Sequence, residues 1–460
     1  MKTPICILLV CLVALTSSPA RGGAEDPISE MKTTIQALKM RLKDQELRLA
    51  ELEAQQVARK EQDRRFLAVL DKLGEPQPND FRLYWKDGVR LDTRDGRFKM
   101  KIGGRLMADW GWIDGSGIED DLGVDLEDGA EVRRARLYFA GTIYNDIDFK
   151  LQFDFAGGDA DIKDAYIRLK KLPVIGNLTM GHFKEPFSLE ELTSSKYITF
   201  MERALPNALV PGRNMGFMAH NHQLDQRMTW AVGMFRDVND YAEGDSDGGN
   251  AYNLTGRATW LPWYENKGRQ LVHLGASYSL RHPEDAVRFR ERPEAHFVNQ
   301  RFTDTGQFDA DWINLFGGEV AFVHGPFSIQ GEVVAAALDA PDYGNPCLGG
   351  FYIYGSYFLT GEHRVYDTKN GAFKRVKPKK NFRKDGGWGA WEVAARYSYL
   401  DLGDGDLPDS ARRMQDATVG LNWYLYPNAK LMWNYIRSCV DGQDTSNAAD
   451  IVMMRAQVDF

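Results

Sequence analysis

From residue 98 onward, apolar and polar residues alternate in runs of about ten, and this pattern constrains the fold more than any other feature. In the last run, the apolar and polar series are Val452, Met454, Ala456, Val458 and Phe460 and, between them, Met453, Arg455, Gln457 and Asp459. A period of two residues predicts strands with one apolar and one polar face. About ten residues is the length that a tilted strand needs to cross a bilayer.

Sixteen such runs are predicted, beginning near residues 98, 131, 147, 161, 177, 215, 227, 251, 270, 312, 327, 349, 388, 414, 428 and 450. An even number of strands is typical of single-chain bacterial outer-membrane barrels. A soluble β-sandwich is the alternative, but aromatic residues near the strand ends and full charges on the polar faces favour a transmembrane barrel. After the first segment no run of about 18 apolar residues occurs, which excludes a helical membrane protein. We therefore expect an all-β, 16-stranded antiparallel transmembrane β-barrel over residues 80–460.

The first residues resemble a secretion signal. Lys2 precedes an apolar stretch, Ile5 to Leu15, and small residues follow up to Ala24, which predicts a signal peptide over residues 1–24. Its removal takes away two cations and no acid, so the formal net charge would change from −8 to −10. An acidic chain is unlike a nucleic-acid binder. The remaining cysteines, Cys347 and Cys439, are too few for a disulfide scaffold or a thiolate metal cluster.

Residues 28–73 repeat every seven positions, with mostly apolar first and fourth positions and charged or amide residues between them. This pattern predicts a coiled coil, roughly 70 Å long. A single solvated helix is the alternative, because Gln56, Arg59 and Asp63 interrupt the apolar seam. Residues 74–79 contain glycine and two prolines and end the helix. We expect residues 25–79 to be a periplasmic coiled-coil segment and linker.

Charged residues on the polar face of the strands indicate a water-filled lumen, where a charge costs little. They are Arg134, Arg136, Asp164, Arg168, Arg257 and Arg396. A guanidinium group matches the geometry of phosphate oxygens, so the arginines favour an anion path. The alternative is that lumen acids such as Asp154 and Glu319 neutralise them.

Two more basic groups lie between strands. Arg288, Arg290 and Arg292 would point one way at intervals of roughly 7 Å if extended, forming an outer arginine ladder, although the neighbouring acids also suit a solvated loop. Residues 361–387 hold nine Lys or Arg against three acids on the side of the short turns, and predict a positive periplasmic collar. Its lysines include Lys369, Lys374, Lys377, Lys379, Lys380 and Lys384. Residues 184–214 are too long for a turn and suit a loop folded into the lumen.

The sequence has no H-E-x-x-H, no C-x-x-C and no phosphate-cradling glycine loop, which are signatures of common enzyme and metal sites. We therefore expect neither catalysis nor a bound cofactor or metal.

Several segments of the barrel region resemble the phosphate-selective porin O and P family over nearly all of residues 80–460. They are Arg133-Arg134-Ala135-Arg136, Lys150-Leu151-Gln152-Phe153-Asp154-Phe155, Phe183-Lys184-Glu185-Pro186-Phe187, Met201-Glu202-Arg203, Pro211-Gly212-Arg213-Asn214 and Gly420-Leu421-Asn422-Trp423-Tyr424. The resemblance implies a trimer of barrels whose third loop folds inward. It also implies a phosphate-binding constriction at Arg133, Arg134, Asp164, Ser194 and Ser195. Two positions depart from the family: Glu191 stands in place of a lysine, and Arg136 in place of a tyrosine.

The expected function is that of an outer-membrane porin of a Gram-negative cell that passes phosphate, polyphosphate or other small anions, embedded in outer-membrane lipid as a homotrimer. A general or differently selective porin is one alternative, since Glu191 opposes anion binding. The other is an envelope tether that contacts the cell wall through the coiled coil. By strand parity, Cys347 and Cys439 fall in outer loops, where a disulfide between them would be stable.

Overall fold

In the computed structural model, the described residues are 27–72, 80–244, 252–384, 386–407, 412–441 and 446–460. The chain divides into two compact units, Met1–Gln77 and Pro78–Phe460. In the first unit, α1 (Pro27–Lys72) is one continuous helix of 46 residues, as the seven-residue repeat predicts. The predicted signal peptide and linker lie outside the described residues. Among the helices that are described, none is both long and apolar enough to cross a membrane.

The second unit consists mainly of antiparallel strands. In chain order they are β1 (Phe81–Trp85), β2 (Val89–Thr93), β3 (Lys99–Asp114), β4 (Gly129–Ile143), β5 (Ile147–Asp154), β6 (Asp161–Leu172), β7 (Gly176–Lys184), β8 (Arg213–Gln223), β9 (Met228–Arg236), β10 (Asn253–Glu265), β11 (Gln270–Arg281), β12 (Arg290–Glu291), β13 (Thr303–Asp304), β14 (Trp312–His324), β15 (Phe327–Asp339), β16 (Cys347–Phe358), β17 (Val365–Asp367), β18 (Ala372–Lys374), β19 (Ala390–Asp401), β20 (Arg413–Tyr426), β21 (Ala429–Asp441) and β22 (Ser446–Asp459). The short α-helices are α2 (Ser116–Leu122) and α3 (Leu189–Leu192), and 3-10 turns cover Leu205–Leu209, Asn266–Gly268 and Pro341–Tyr343.

Sixteen of these strands, β3–β11, β14–β16 and β19–β22, pair each with the next and form a closed barrel. The last strand closes it by pairing with the first, from Asp450 opposite Asp114 to Asp459 opposite Arg105. Closure pairs the first and last barrel strands with each other, which a sheet inside a bilayer requires because unpaired backbone groups are costly there. Each barrel strand begins within four residues of its predicted start. The predicted 16-stranded barrel is confirmed.

Connections alternate between short turns at one end and longer loops at the other. The short turns include residues 144–146, 325–326 and 427–428, whereas loop 3 (residues 185–212) and loop 5 (residues 282–311) are among the long ones. Residues 359–389 are the exception, since they are long but lie at the end of the short turns. The sequence predicts a long segment at this end of the barrel, and the structure confirms it.

The two faces of each strand differ as the alternating pattern predicts. In β22, Met453 and Arg455 are fully buried toward the lumen, whereas Val452 and Val458 are 47% and 43% exposed on the outside. Apolar side chains exposed on the outer face are what a lipid-facing barrel needs, because each buries its surface in hydrocarbon.

Loops 3 and 5 fold inward and fill one side of the lumen. Phe187 and Met201 of loop 3 and Phe302 and Phe308 of loop 5 are buried. They form one apolar cluster with inward-facing residues of β14–β16 and β19–β22. The predicted inward position of the third loop is therefore confirmed. Space for water and ions remains along the opposite wall, which β3–β10 form.

Residues 359–389 also enter the lumen, and the prediction of a wholly periplasmic collar is wrong for their first half. The hairpin β17–β18 packs Tyr366 and Phe373 against Leu189 of loop 3 and against Leu271 of β11. Arg257 Nη2 donates to the carbonyl oxygen of Gly371 at the hairpin tip, at 2.9 Å. The sequence could not predict this, because a short apolar hairpin inside a basic segment has the composition of a solvated loop.

The two cysteines are free thiols, so the disulfide that the sequence left open is not formed. Cys347 is the first residue of β16 and Cys439 lies inside β21, not in a loop. Two strands, β19 and β20, separate β16 from β21 in the barrel wall.

Candidate functional site

A β-bulge in β4 turns two consecutive arginines toward the lumen. Met107 pairs with Arg134 and Ala108 with Val132, which leaves Arg133 as an extra residue. A bulge breaks the strict alternation of faces, so Arg133 and Arg134 both reach the same carboxylate of loop 3. This geometry explains how adjacent residues can serve one site.

That carboxylate belongs to Glu202. Arg133 donates to both of its oxygens at 2.9 Å, and Arg134 Nη2 lies 3.5 Å from it. Arg455 adds a third guanidinium at 2.6 Å and is itself paired with Asp109. Burial raises the pKa of Glu202, but the three arginines outweigh burial and hold that pKa well below its usual range. The arginine pair is thus tied to loop 3 through an anionic Glu202, a contact that the sequence did not predict.

Asp164 is also a shared counter-ion. A second bulge, which leaves Lys163 as the extra residue, directs Asp164 into the lumen. It accepts from Lys150 Nζ at 2.5 Å and from Arg213 Nε at 2.8 Å. One carboxylate therefore faces two cations, so the cluster of Asp164, Lys150 and Arg213 has a net positive charge.

Ser194 and Ser195 of loop 3 lie on the same cavity. Arg105 of β3 donates through Nη1 to Ser195 Oγ at 2.6 Å. Within the described residues, Arg105 has no carboxylate within ion-pair distance and its buried Nε has no hydrogen-bond acceptor. Sequence reasoning missed Arg105, although it occupies the polar face of its strand, which was the available signal.

Glu191, which the sequence predicts to oppose anion binding, does not itself line the cavity. Its carboxylate contacts Lys184 Nζ at 2.7 Å and Arg203 Nε at 3.0 Å. Burial raises the pKa of Glu191, but Arg203 and Lys184 lower it to about 2. Lys184 and Arg203 line the cavity and Glu191 stands behind them. Glu191 thus replaces the lysine of the family, while Lys184 of β7 supplies a lysine to the cavity lining.

The other departure, Arg136, also lines the cavity and pairs with Asp154 at 2.6 Å. The cavity has a volume of about 470 Å³. Eleven basic and two acidic side chains line it: Arg105, Arg134, Arg136, Lys150, Arg168, Lys184, Arg203, Arg213, Arg257, Lys369 and Lys374, with Asp164 and Asp367. Even with the four acids that stand behind these cations (Asp154, Glu191, Glu202 and Glu319), positive charge remains in excess.

The remaining predicted groups are only partly brought together. Arg288 and Arg290 are exposed on one face of loop 5, but Arg288 is paired with Asp304 at 2.7 Å. Arg292 is half-buried and donates to the carbonyl oxygen of Val298 at 2.9 Å. Two of the three arginines of the predicted ladder are therefore exposed.

The basic segment is divided between two places. Lys369 and Lys374 line the cavity inside the barrel. The other predicted lysines are exposed and do not line the cavity: Lys377, Lys379, Lys380 and Lys384. The predicted basic segment is thus divided between the cavity lining and exposed positions outside it.

Comparison with known proteins identifies the family. The sequence model described as phosphate-selective porin O and P matches residues 100–460. This chain belongs to that family. It is an outer-membrane porin of the Gram-negative type, and the family is one of channels.

Two relatives show how far this porin's sequence has diverged. Porin O of Pseudomonas aeruginosa is 28% identical over 405 residues, which are 81% of this chain and 90% of the relative. An uncharacterised protein of Caulobacter vibrioides is 32% identical over 333 residues, 70% of this chain and 64% of the relative.

Solved porin structures resemble this porin more distantly. An anion-selective porin from Comamonas acidovorans has a TM-score of 0.48 and 12% identity, and covers 79% of this chain and 100% of its own. The outer-membrane protein OmpT of Vibrio cholerae has a TM-score of 0.48 and 11% identity, and covers 79% of this chain and 98% of its own.

Proposed function

We propose that this porin is an anion-selective channel through which phosphate, or a short polyphosphate, diffuses into the periplasm. The observation that carries the proposal is the excess of positive charge around the lumen cavity, eleven basic against two acidic lining side chains. A cluster of one sign in a low-dielectric wall attracts counter-ions and raises their local concentration. An anion therefore enters favourably and a cation is repelled.

Phosphate suits this cavity better than chloride does. Guanidinium groups match phosphate oxygens in geometry, and Arg105 has no competing carboxylate among the described residues. Hydroxyl groups of Ser194 and Ser195 add donors on the loop side of the cavity. Arg133 and Arg134, which Glu202 already holds, act in this proposal mainly by positioning loop 3 and by their charge.

A general porin remains the second reading, because acids neutralise much of the positive charge. Planar-bilayer recordings separate the two. In a KCl gradient, the proposal requires a reversal potential of the sign of chloride permeation, and millimolar phosphate should block the chloride current. A cation-selective pore would contradict the proposed function, and an anion-selective pore without phosphate block would leave only the general porin.

The rest of the chain is proposed to support this channel. Residues 1–24 would direct secretion, residues 25–79 would form a coiled coil in the periplasm, and the outward apolar face would contact outer-membrane lipid in a homotrimer. Attachment to the cell wall through the coiled coil would add a tether. Deleting residues 25–78 tests it: chloride conductance should persist, while retention of the barrel by isolated cell wall should be lost.

A further inference from the structure

The helix α1 exposes an apolar seam over its length. Its first and fourth heptad positions include Ile35 and Leu38, which are 47% and 58% exposed, and Leu49 and Leu52, each 59% exposed. A helix with such a seam is stabilised when the seam is covered.

The charges beside the seam indicate which surface covers it. In the heptad that starts at Ile28, Arg41 and Arg48 precede first positions, and Glu46 and Glu53 follow fourth positions. In a parallel, in-register coiled coil, the residue just before a first heptad position lies next to a residue of the partner chain. That partner residue is the one five places later in the sequence. Arg41 then faces Glu46 of the other copy, and Arg48 faces Glu53.

An antiparallel arrangement is disfavoured by the same residues. With the two helices fully overlapped, Glu46 of one copy faces Glu53 of the other, and Lys39 faces Lys60. Two-fold symmetry repeats each of these like-charge contacts, and no opposite charges compensate for them. In the parallel arrangement, none of the pairs between residues that flank the seam has like charges.

We infer that α1 is covered by the same helix of other copies of this chain, in a parallel and in-register coiled coil. The inference rests on the coiled coil proposed above and names its partner, orientation and register. In register, Gln56, Arg59 and Asp63 each lie opposite the same residue of the partner chain. The like charges at positions 59 and 63 cost stability, and polar seam residues specify register at such a cost. The coil is thus an assembly contact between protomers.

Cysteine cross-linking of the full-length protein in detergent tests the inference. In a background with Cys347→Ser and Cys439→Ser, Ile35→Cys should form a disulfide-linked pair under mild oxidation. The matched control is Thr33→Cys, which lies at nearly the same height on the outer face of the coil and should remain mostly monomeric. In the antiparallel arrangement, two copies of residue 35 would be about 45 Å apart. Absence of the link at residue 35, or equal linking at residue 33, would overturn the inference.

Charge exchange tests the register independently. Arg48→Glu should slow the cross-link at Ile35→Cys by several-fold, and adding Glu53→Arg should restore it. Arg48 is also 3.4 Å from Asp44 in its own helix, and the double variant does not restore that pair, so rescue reports the contact between chains. Failure of the rescue would refute the register. Chloride reversal potentials of the same variants should equal those of the unmodified porin; if the links form in a cation-selective pore, the coil stands and the proposed channel function falls.

Discussion

Replacing Glu191 with glutamine should strengthen the binding of phosphate in the pore. Glu191 withdraws two cavity-lining cations, Lys184 and Arg203, which lie 2.7 and 3.0 Å from its carboxylate. Its pKa is about 2, so the group is anionic at every physiological pH. Glutamine keeps the shape and one acceptor oxygen but removes the charge, and both cations become available to an anion in the cavity.

The magnitude follows from the geometry. An anion bound to Lys184 would lie about 6 Å from the Glu191 carboxylate, since two charge-assisted contacts of about 3 Å separate them. A unit repulsion at that distance with an effective dielectric of about 20 is worth about 3 kcal/mol. Screening over a Debye length of about 8 Å roughly halves this value. The half-blocking phosphate concentration should therefore fall about tenfold.

The assay is phosphate block of chloride current in planar bilayers. Glu190→Gln is the matched control: Glu190 is a neighbouring buried carboxylate of loop 3, but it contacts Arg396 at 3.4 Å on the filled side of the lumen. It should change the half-blocking concentration much less. Unchanged block in Glu191→Gln, with a normally heat-stable barrel, would refute the reasoning. Glu191→Lys, which the family pattern alone suggests as a gain, should instead destabilise loop 3, because it buries three cations together.

Three further outcomes are expected. Arg105→Gln should raise the half-blocking phosphate concentration by about tenfold, as expected for loss of a charged hydrogen bond worth ~1.5 kcal/mol or more, whereas the exposed Arg437→Gln should not. Glu332→Gln should increase single-channel conductance. Glu332 accepts hydrogen bonds from the backbone N–H groups of residues 189 and 190 at 2.8 and 2.7 Å, and these bonds hold loop 3 across the lumen. Unchanged conductance would contradict this role. Chloride selectivity should fall as pH rises through 7: burial and Arg105 lower the pKa of Lys196 to about 7, so this cation loses its charge over that range, and Lys196→Arg should flatten the pH profile.

The barrel could be predicted strand by strand because the alternation of apolar and polar residues that specifies each strand lies within that strand. Each strand has a period of two, and a slip of one residue would place Arg455 in lipid and Val452 in the lumen. The even number of strands then allows β22 to pair antiparallel with β3 and close the barrel. For the same reason the long helix α1 could be predicted from its heptads alone.

Contacts within the site could not be predicted in this way. The sequence by itself determined the strands, their inward faces and the basic character of the lumen. Only the tertiary structure decided that Glu202 holds the arginine pair, that Glu191 stands behind Lys184 and Arg203, and that the hairpin β17–β18 brings Lys369 and Lys374 into the cavity. Arg133 and Glu202 are 69 residues apart in the sequence. Which acid meets which cation depends on how loops 3 and 5 pack in the lumen, and apolar burial decides that packing rather than any periodic pattern along the chain.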